Sequence, residues 1–149
     1  MRRADVECVF CAILAGRAAA HFVHRDEEVA AFLDRRPLFF GHVLVVPVAH
    51  LPSFFRVDSG TVLRLFTMAR DLSEVMRTAL GAEGAFVALN DTVSQSVPHV
   101  HVHVVPRRRG DGLRGFFWPR RRYESDEIAA EYATRLAEGL RQLIGKPDG

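Results

Sequence analysis

The sequence predicts an α+β fold in which short apolar strands pack on two long helices. Three observations predict it. Residues 99–105 alternate histidine with valine, the two-residue period of a strand. Residues 59–80 and 125–144 carry apolar side chains at three- and four-residue steps, the period of a helix with one buried face. Around them lie short apolar runs bounded by glycine and proline, which read as further strands.

In chain order, residues 8–15 (Cys-Val-Phe-Cys-Ala-Ile-Leu-Ala), stopped by Gly16, predict a short helix or knuckle. His21 and His24 fall on an edge strand and are expected to be solvated. Val29–Leu33 and Val43–Val48 are strands, and His42 at the second one's entry is expected to pack or to bond to backbone. In 59–80 the apolar stripe is Val62, Leu65, Phe66, Ala69, Leu72, Met76 and Leu80. Asp58 or Ser59 can cap its start by accepting from a free N–H, and Gly81 ends it. Ala85–Leu89 is a strand leading into a turn at Asn90-Asp91, and His99–Val105 is another, closed by Pro106. The last helix starts at Ser125, with Asp126 and Glu127 favouring its positive end. It carries Ile128, Tyr132, Leu136, Leu140 and Ile144 on one face and stops at Gly145.

Of the 149 residues, 48% are hydrophobic and 26% charged, enough for one domain with its own core, so a single domain over 1–149 is expected. A net charge of +2 is too small to mark a nucleic-acid binder. No apolar run reaches the roughly 18–20 residues that cross a bilayer. A secretory signal needs about 7–15 uninterrupted apolar residues, and Asp5, Glu7 and two cysteines interrupt that stretch here. The expected compartment is therefore a reducing cytoplasm. There Cys8 and Cys11 read as metal ligands, redox groups or small buried residues before they read as a disulfide.

Strand alternation puts His99, His101 and His103 on one face and the valines on the other, toward the core. Two chemistries fit a row of imidazoles. Alternate side chains can converge on a catalytic metal. Alternatively, one neutral imidazole attacks an electrophile while its neighbours orient it and bind developing charge. Neutral pH leaves most histidine uncharged and nucleophilic, and phosphorus is an electrophile that suits it.

The chain resembles the histidine-triad (HIT) superfamily of nucleotide-binding hydrolases, whose signature is His-x-His-x-His-x-x with apolar x. The resemblance rests on the triad, on Cys8-Val9-Phe10-Cys11, on Phe32-Leu33-Asp34, on Gly41-His42-Val43-Leu44-Val45-Val46-Pro47 with His50 following, and on Gln95-Ser96-Val97. It implies a HIT-like, mostly antiparallel sheet with one long helix on the sheet and one C-terminal. It implies that His101 attacks the α-phosphorus of a nucleoside phosphate and carries a nucleotidyl intermediate that water cleaves. It implies that His103 hydrogen-bonds the phosphate or leaving group, and that the backbone carbonyl of His99 fixes the tautomer of His101. Asp34 matches the acid that binds the ribose hydroxyls, though a strand-end turn residue would look the same. Asn90, Gln95 and Ser96 match positions that contact phosphate and ribose, with plain loop polarity as the alternative. In the zinc-containing branches, the partners of two such cysteines are the residues matching His50 and His99. The resemblance therefore implies a structural zinc on Cys8, Cys11, His50 and His99, which leaves His101 free for phosphorus.

It further implies a purine nucleotide substrate, with nucleoside phosphoramidates and dinucleoside polyphosphates as the substrate classes, and a homodimer. Two rival functions stand beside this one: a nucleotide-binding regulatory module with little turnover, and a metal-dependent hydrolase with zinc on the triad. The chain departs from the pattern at Asp91-Thr92-Val93-Ser94, where many members have a glycine-rich loop. His103 stands where nucleotidyl-transferase branches carry glutamine, which favours hydrolysis. Residues 107–122 hold seven arginines against Asp111 alone, a local charge of +6. Either they attract polyphosphate or they form a solvated or RNA-facing loop. Gly112, Gly115 and Phe116-Phe117-Trp118 suit a flap over the nucleotide or over a partner subunit.

Overall fold

The protein is described by a computed structural model covering residues 7–114 and 120–145, so Gly115 and Phe116-Phe117-Trp118 lie outside the described residues. Two compact units divide at Asp111 and Gly112.

The first unit is built on a five-stranded antiparallel sheet. Its strands are β1 (Phe22–Arg25), β2 (Val29–Leu33), β3 (Val43–Pro47), β4 (Gly84–Ala88) and β5 (Val102–Arg107), in the order β1-β2-β3-β5-β4. Helix α1 (Val9–Leu14) precedes the sheet, and α2 (Ser59–Leu80) crosses between β3 and β4. The expected α+β architecture with a mostly antiparallel sheet is what the chain forms.

Strands β2 and β3 are buried along nearly their whole length, because each face of the sheet carries a helix. Val29, Ala31, Val43 and Val45 meet Leu65, Ala69, Leu72 and Met76 of α2. The alternate residues Ala30, Phe32, Leu44 and Val46 meet Phe10, Ile13 and Leu14 of α1. Two cores therefore share one sheet, and a continuous apolar run is what two buried faces require. Val100, Val102 and Val104 lie in the α2 core, as alternation predicts.

Helix α2 keeps its expected limits. The Asp58 carboxylate accepts from the Thr61 N–H at 2.9 Å, and Gly81 closes the helix in the left-handed conformation at φ +66°. The last strand differs from expectation. It begins at Val102 and runs through Pro106 to Arg107. Pairing with β3 ends at Val104, so the N–H that proline lacks is not missed there. His99 and His101 consequently lie in an irregular lead-in to the strand. His24 also differs, because its Nε2 pairs with Asp26 at 2.7 Å instead of facing water alone.

The second unit contains α3 (Asp126–Ile144), capped by Ser125, whose hydroxyl accepts from the Ile128 N–H. Its apolar face is exposed, Leu136 and Ile144 each to 73%. Among the described residues no helix is long and apolar enough to cross a membrane.

Candidate active site and metal centre

The three triad histidines separate into two environments. His99 is fully buried and its Nδ1 points at the N-terminal cysteines, whereas His101 and His103 line a cavity on the α1 side of the sheet. The imidazoles keep the common face expected from alternation, since Phe10 of α1 packs on both His99 and His101 while the valines enter the α2 core. They divide between two sites along that face, His99 lying in the irregular lead-in where its N–H donates to the Val97 carbonyl at 2.8 Å.

Around His99, four donor atoms converge. Its Nδ1 lies 3.5 Å from the Cys8 Sγ, 3.6 Å from the Cys11 Sγ and 3.3 Å from the His50 Nδ1, and the Cys11 Sγ lies 3.3 Å from that same Nδ1. A tetrahedral zinc with ordinary Zn–S and Zn–N bonds has ligand–ligand edges of roughly 3.3–3.8 Å. The donor set fits that ion in both kind and spacing. The His99 Nε2–H donates to the Pro47 carbonyl at 2.8 Å, which leaves the lone pair of Nδ1 toward the cluster. Burial, and then Cys8 beside it, push the Cys11 thiol upward, so this thiol does not ionise comfortably by itself. A dication is the group that would let it.

The cavity, about 530 Å³, is walled by Phe10, Phe32 and Leu44 on its apolar side and by Asp34, Ser96, His101 and His103 on its polar side. The His101 Nδ1–H donates to the His99 carbonyl at 2.8 Å. The neutral ring then carries its lone pair on Nε2. His101 and His103 stand 5.0 Å apart by ring centroid, and the edge of Phe10 packs on both His101 and His99. Burial, followed by the neighbouring His101 and His42, pulls the His103 pKa down to about 4, so His103 is neutral at pH 7.

His42 packs and bonds to backbone as expected, accepting from the Leu38 N–H at 3.1 Å, but sequence reasoning did not foresee its place beside the triad. It is buried at the start of β3, where its Nε2 lies 2.9 Å from the His103 Nδ1 and 3.7 Å from the Asp34 carboxylate. The signal available was parity, since His42 shares a strand face with Leu44, which pairs with His103. Gly41 precedes His42. At φ +98° it takes a left-handed turn, and a Cβ there would stand 2.7 Å from a Leu80 methyl.

The loop before the triad is held by its own polar side chains. The Gln95 side chain accepts from the Thr92 N–H at 2.9 Å and donates to the Pro52 carbonyl at 2.9 Å, so both ends brace the loop. Asn90 reaches the Ser94 carbonyl at 3.3 Å. Of these three polar residues only Ser96 lines the cavity. Without glycine, the loop puts Thr92 and Ser94 at φ +64° and +60°.

The basic segment is partly committed to the fold. Arg107 pairs with Asp111 at 2.6 Å and Arg109 with Glu83 at 2.8 Å. Arg108 donates to the Leu80 and Gly81 carbonyls at the end of α2. Those three arginines are engaged locally, which is what a structural loop does with them.

The chain belongs to the HIT family: the HIT domain model matches residues 15–110. An uncharacterised HIT-like protein of Methanocaldococcus jannaschii is 35% identical over 126 residues, covering 83% of this chain and 97% of its own. The crystal structure of a zinc-bound histidine triad family protein from Mycobacterium smegmatis is similar at TM-score 0.70 and 34% identity, over 94% of this chain and 99% of that one. A bis(5'-nucleosyl)-tetraphosphatase of Schizosaccharomyces pombe is 34% identical over 90 residues, 59% of this chain and 50% of that protein.

Proposed function

We propose that the chain acts as a single HIT domain that hydrolyses nucleoside phosphoramidates or dinucleoside polyphosphates at the α-phosphorus, through a nucleotidyl-His101 intermediate. The polarity of His101 carries this reading. Its Nδ1–H is committed to the His99 carbonyl, so in the neutral ring the lone pair of this cavity-lining residue lies on Nε2, where a nucleophile needs it. That nitrogen forms a bond to phosphorus as the P–O or P–N bond to the leaving group breaks. The electron pair departs with the leaving group, and an amine takes its proton from water. Water then attacks phosphorus and gives up a proton to solvent, the P–Nε2 bond breaks, and its electron pair returns to His101.

Phe10, Phe32 and Leu44 offer the apolar wall that a purine needs, and the half-buried Asp34 carboxylate can accept from a ribose diol. Ser96 and His103 line the same cavity and would donate to phosphate oxygens. Asn90 and Gln95 support the site by holding the loop that carries Ser96. Cys8, Cys11, His50 and His99 would hold zinc in a structural role, tying α1 to the chain that bears the nucleophile. Placing zinc on the triad instead would require His99 to turn from the cysteines. The protein works in the cytoplasm as a homodimer, for which the exposed apolar face of α3 is the supporting feature.

The test is a chase with an α-phosphate-labelled adenosine phosphoramidate, quenched during turnover. Label on wild-type protein, absent from His101→Gly with equal zinc content, is the expected result. Turnover that stops on chelation, with no trapped label, would overturn the mechanism. Binding without turnover would make the protein a regulatory module.

A further inference from the structure

We propose that His42 is a positioning residue that keeps the proton of His103 on Nε2, so that His103 meets the substrate as a hydrogen-bond donor. The inference rests on the hydrolytic reading above. It starts from a backbone group. The Leu38 N–H donates to the His42 Nδ1 at 3.1 Å. A ring nitrogen that accepts carries no proton, so neutral His42 holds its proton on Nε2. A doubly protonated His42 would turn Nδ1 into a donor facing a donor, and burial holds the ring below its ordinary pKa as well.

The Nε2–H of His42 then has His103 in front of it, with Nδ1 at 2.9 Å. The Asp34 carboxylate, 3.7 Å from the same Nε2, favours a proton there. His103 Nδ1 must therefore accept, and the proton of its neutral ring sits on Nε2. Because that ring lines the cavity, the group available to a bound phosphate is an N–H.

Two neighbouring imidazoles thus receive opposite polarities. A backbone carbonyl makes His101 a lone-pair donor at Nε2. A backbone N–H, acting through His42, makes His103 a hydrogen-bond donor at Nε2. Nucleophilic attack needs this pairing, because negative charge grows on the phosphoryl oxygens and leaving atom while His101 attacks. The same chain explains why Asp34, His42 and His103, whose donor atoms lie close enough for a metal, make a poor metal site: the lone pair of His42 faces Leu38, and its other nitrogen carries the proton.

The decisive measurement is a long-range ¹H–¹⁵N spectrum of the zinc-loaded wild-type protein at pH 7. We expect His42 and His103 both protonated at Nε2 and unprotonated at Nδ1. His103 protonated at Nδ1 overturns the proposal, whatever the enzyme does. Kinetics on two variants supply the second readout. In His42→Gln the side-chain amide can reach the position of Nε2 and donate, whereas in His42→Asn only the contact with Leu38 can be kept. Turnover should fall about a hundredfold in His42→Asn with little change in KM, and His42→Gln should restore it to within about tenfold of wild type. Equal kcat in wild type and a folded, zinc-loaded His42→Asn overturns the proposal. If wild type turns over no nucleotide, the hydrolytic reading fails, and the spectrum still decides the tautomers.

Discussion

The cluster around His99 and the cluster around His103 come from one short stretch of chain, yet they spend their nitrogens differently. In the first, His99 commits both: Nε2–H to the Pro47 carbonyl and Nδ1 to a set of four converging donors. In the second, each ring commits one nitrogen, His101 to a carbonyl and His103 to His42, and keeps the other for the cavity. A closed donor set is the mark of a structural metal, and an unspent nitrogen on a cavity wall is the mark of chemistry. Phe10 joins the two. It sits in sequence between the cysteines and packs its edge on both His99 and His101, with ring centroids 5.7 and 5.1 Å away.

Removing the ion should produce the largest effect, because it attacks the closed side directly. Chelation or Cys11→Ser is expected to cost on the order of 5 kcal/mol, roughly 15 °C in Tm for a chain of this size. A melt indifferent to chelator, in protein shown to have lost its zinc, would erase the distinction between the two clusters. Phe10→Ala comes next. Emptying that buried ring should cost about 3–5 kcal/mol, and turnover should fall with it because His101 loses its edge contact. Phe10→Leu separates the two consequences: stability should largely return, and a kcat that stays low assigns the ring a part in holding His101.

Acid acts on buried rings in both clusters. Burial lowers the pKa of His99 and of His42 and His103, the last to about 4. A lowered histidine pKa means that the unfolded chain binds the proton first. The stability tied to the neutral rings is therefore complete above about pH 6.5 and is lost as pH falls toward 4. For His103 alone the loss is of order 3 kcal/mol. With zinc saturating throughout, the drop in Tm between pH 6.5 and 4 should be shallower in His103→Gln than in wild type. Equal slopes would show that His103 does not titrate in the native state as its burial demands.

How much of this could be read beforehand depends on the range of the interaction. Local signals were legible: the Asp58 cap, the Gly81 stop, and the alternation that sends Val100, Val102 and Val104 to the core. The donors Cys8, Cys11, His50 and His99 were legible through resemblance, and the structure brings them together. His42 was not, because its partner lies 61 residues away and is set by the pairing of Leu44 with His103. Charge counting left open how the arginines are spent: Arg107 pairs with Asp111 only four residues on, whereas the partner of Arg109, Glu83, comes alongside only once β4 and β5 lie side by side. Composition reports the charges of a segment and says nothing about how they are spent.

The smallest expected effect concerns backbone on the cavity side. Thr92 and Ser94 are the non-glycine residues with positive φ among the described residues, and both lie in the loop that leads to the triad. A left-handed β-branched residue crowds its Cβ against its own backbone, at a cost of roughly 1–2 kcal/mol. Glycine removes that cost but gives the unfolded chain about 0.5–1 kcal/mol of extra entropy. Thr92→Gly should therefore gain up to about 1 kcal/mol, two or three degrees in Tm. If KM rises at the same time, the loop's rigidity serves the substrate, and the strain is what holds Ser96 at the cavity wall. A fall in Tm would show that the Thr92 side chain repays its conformation, and that this loop, like the metal side, is at rest.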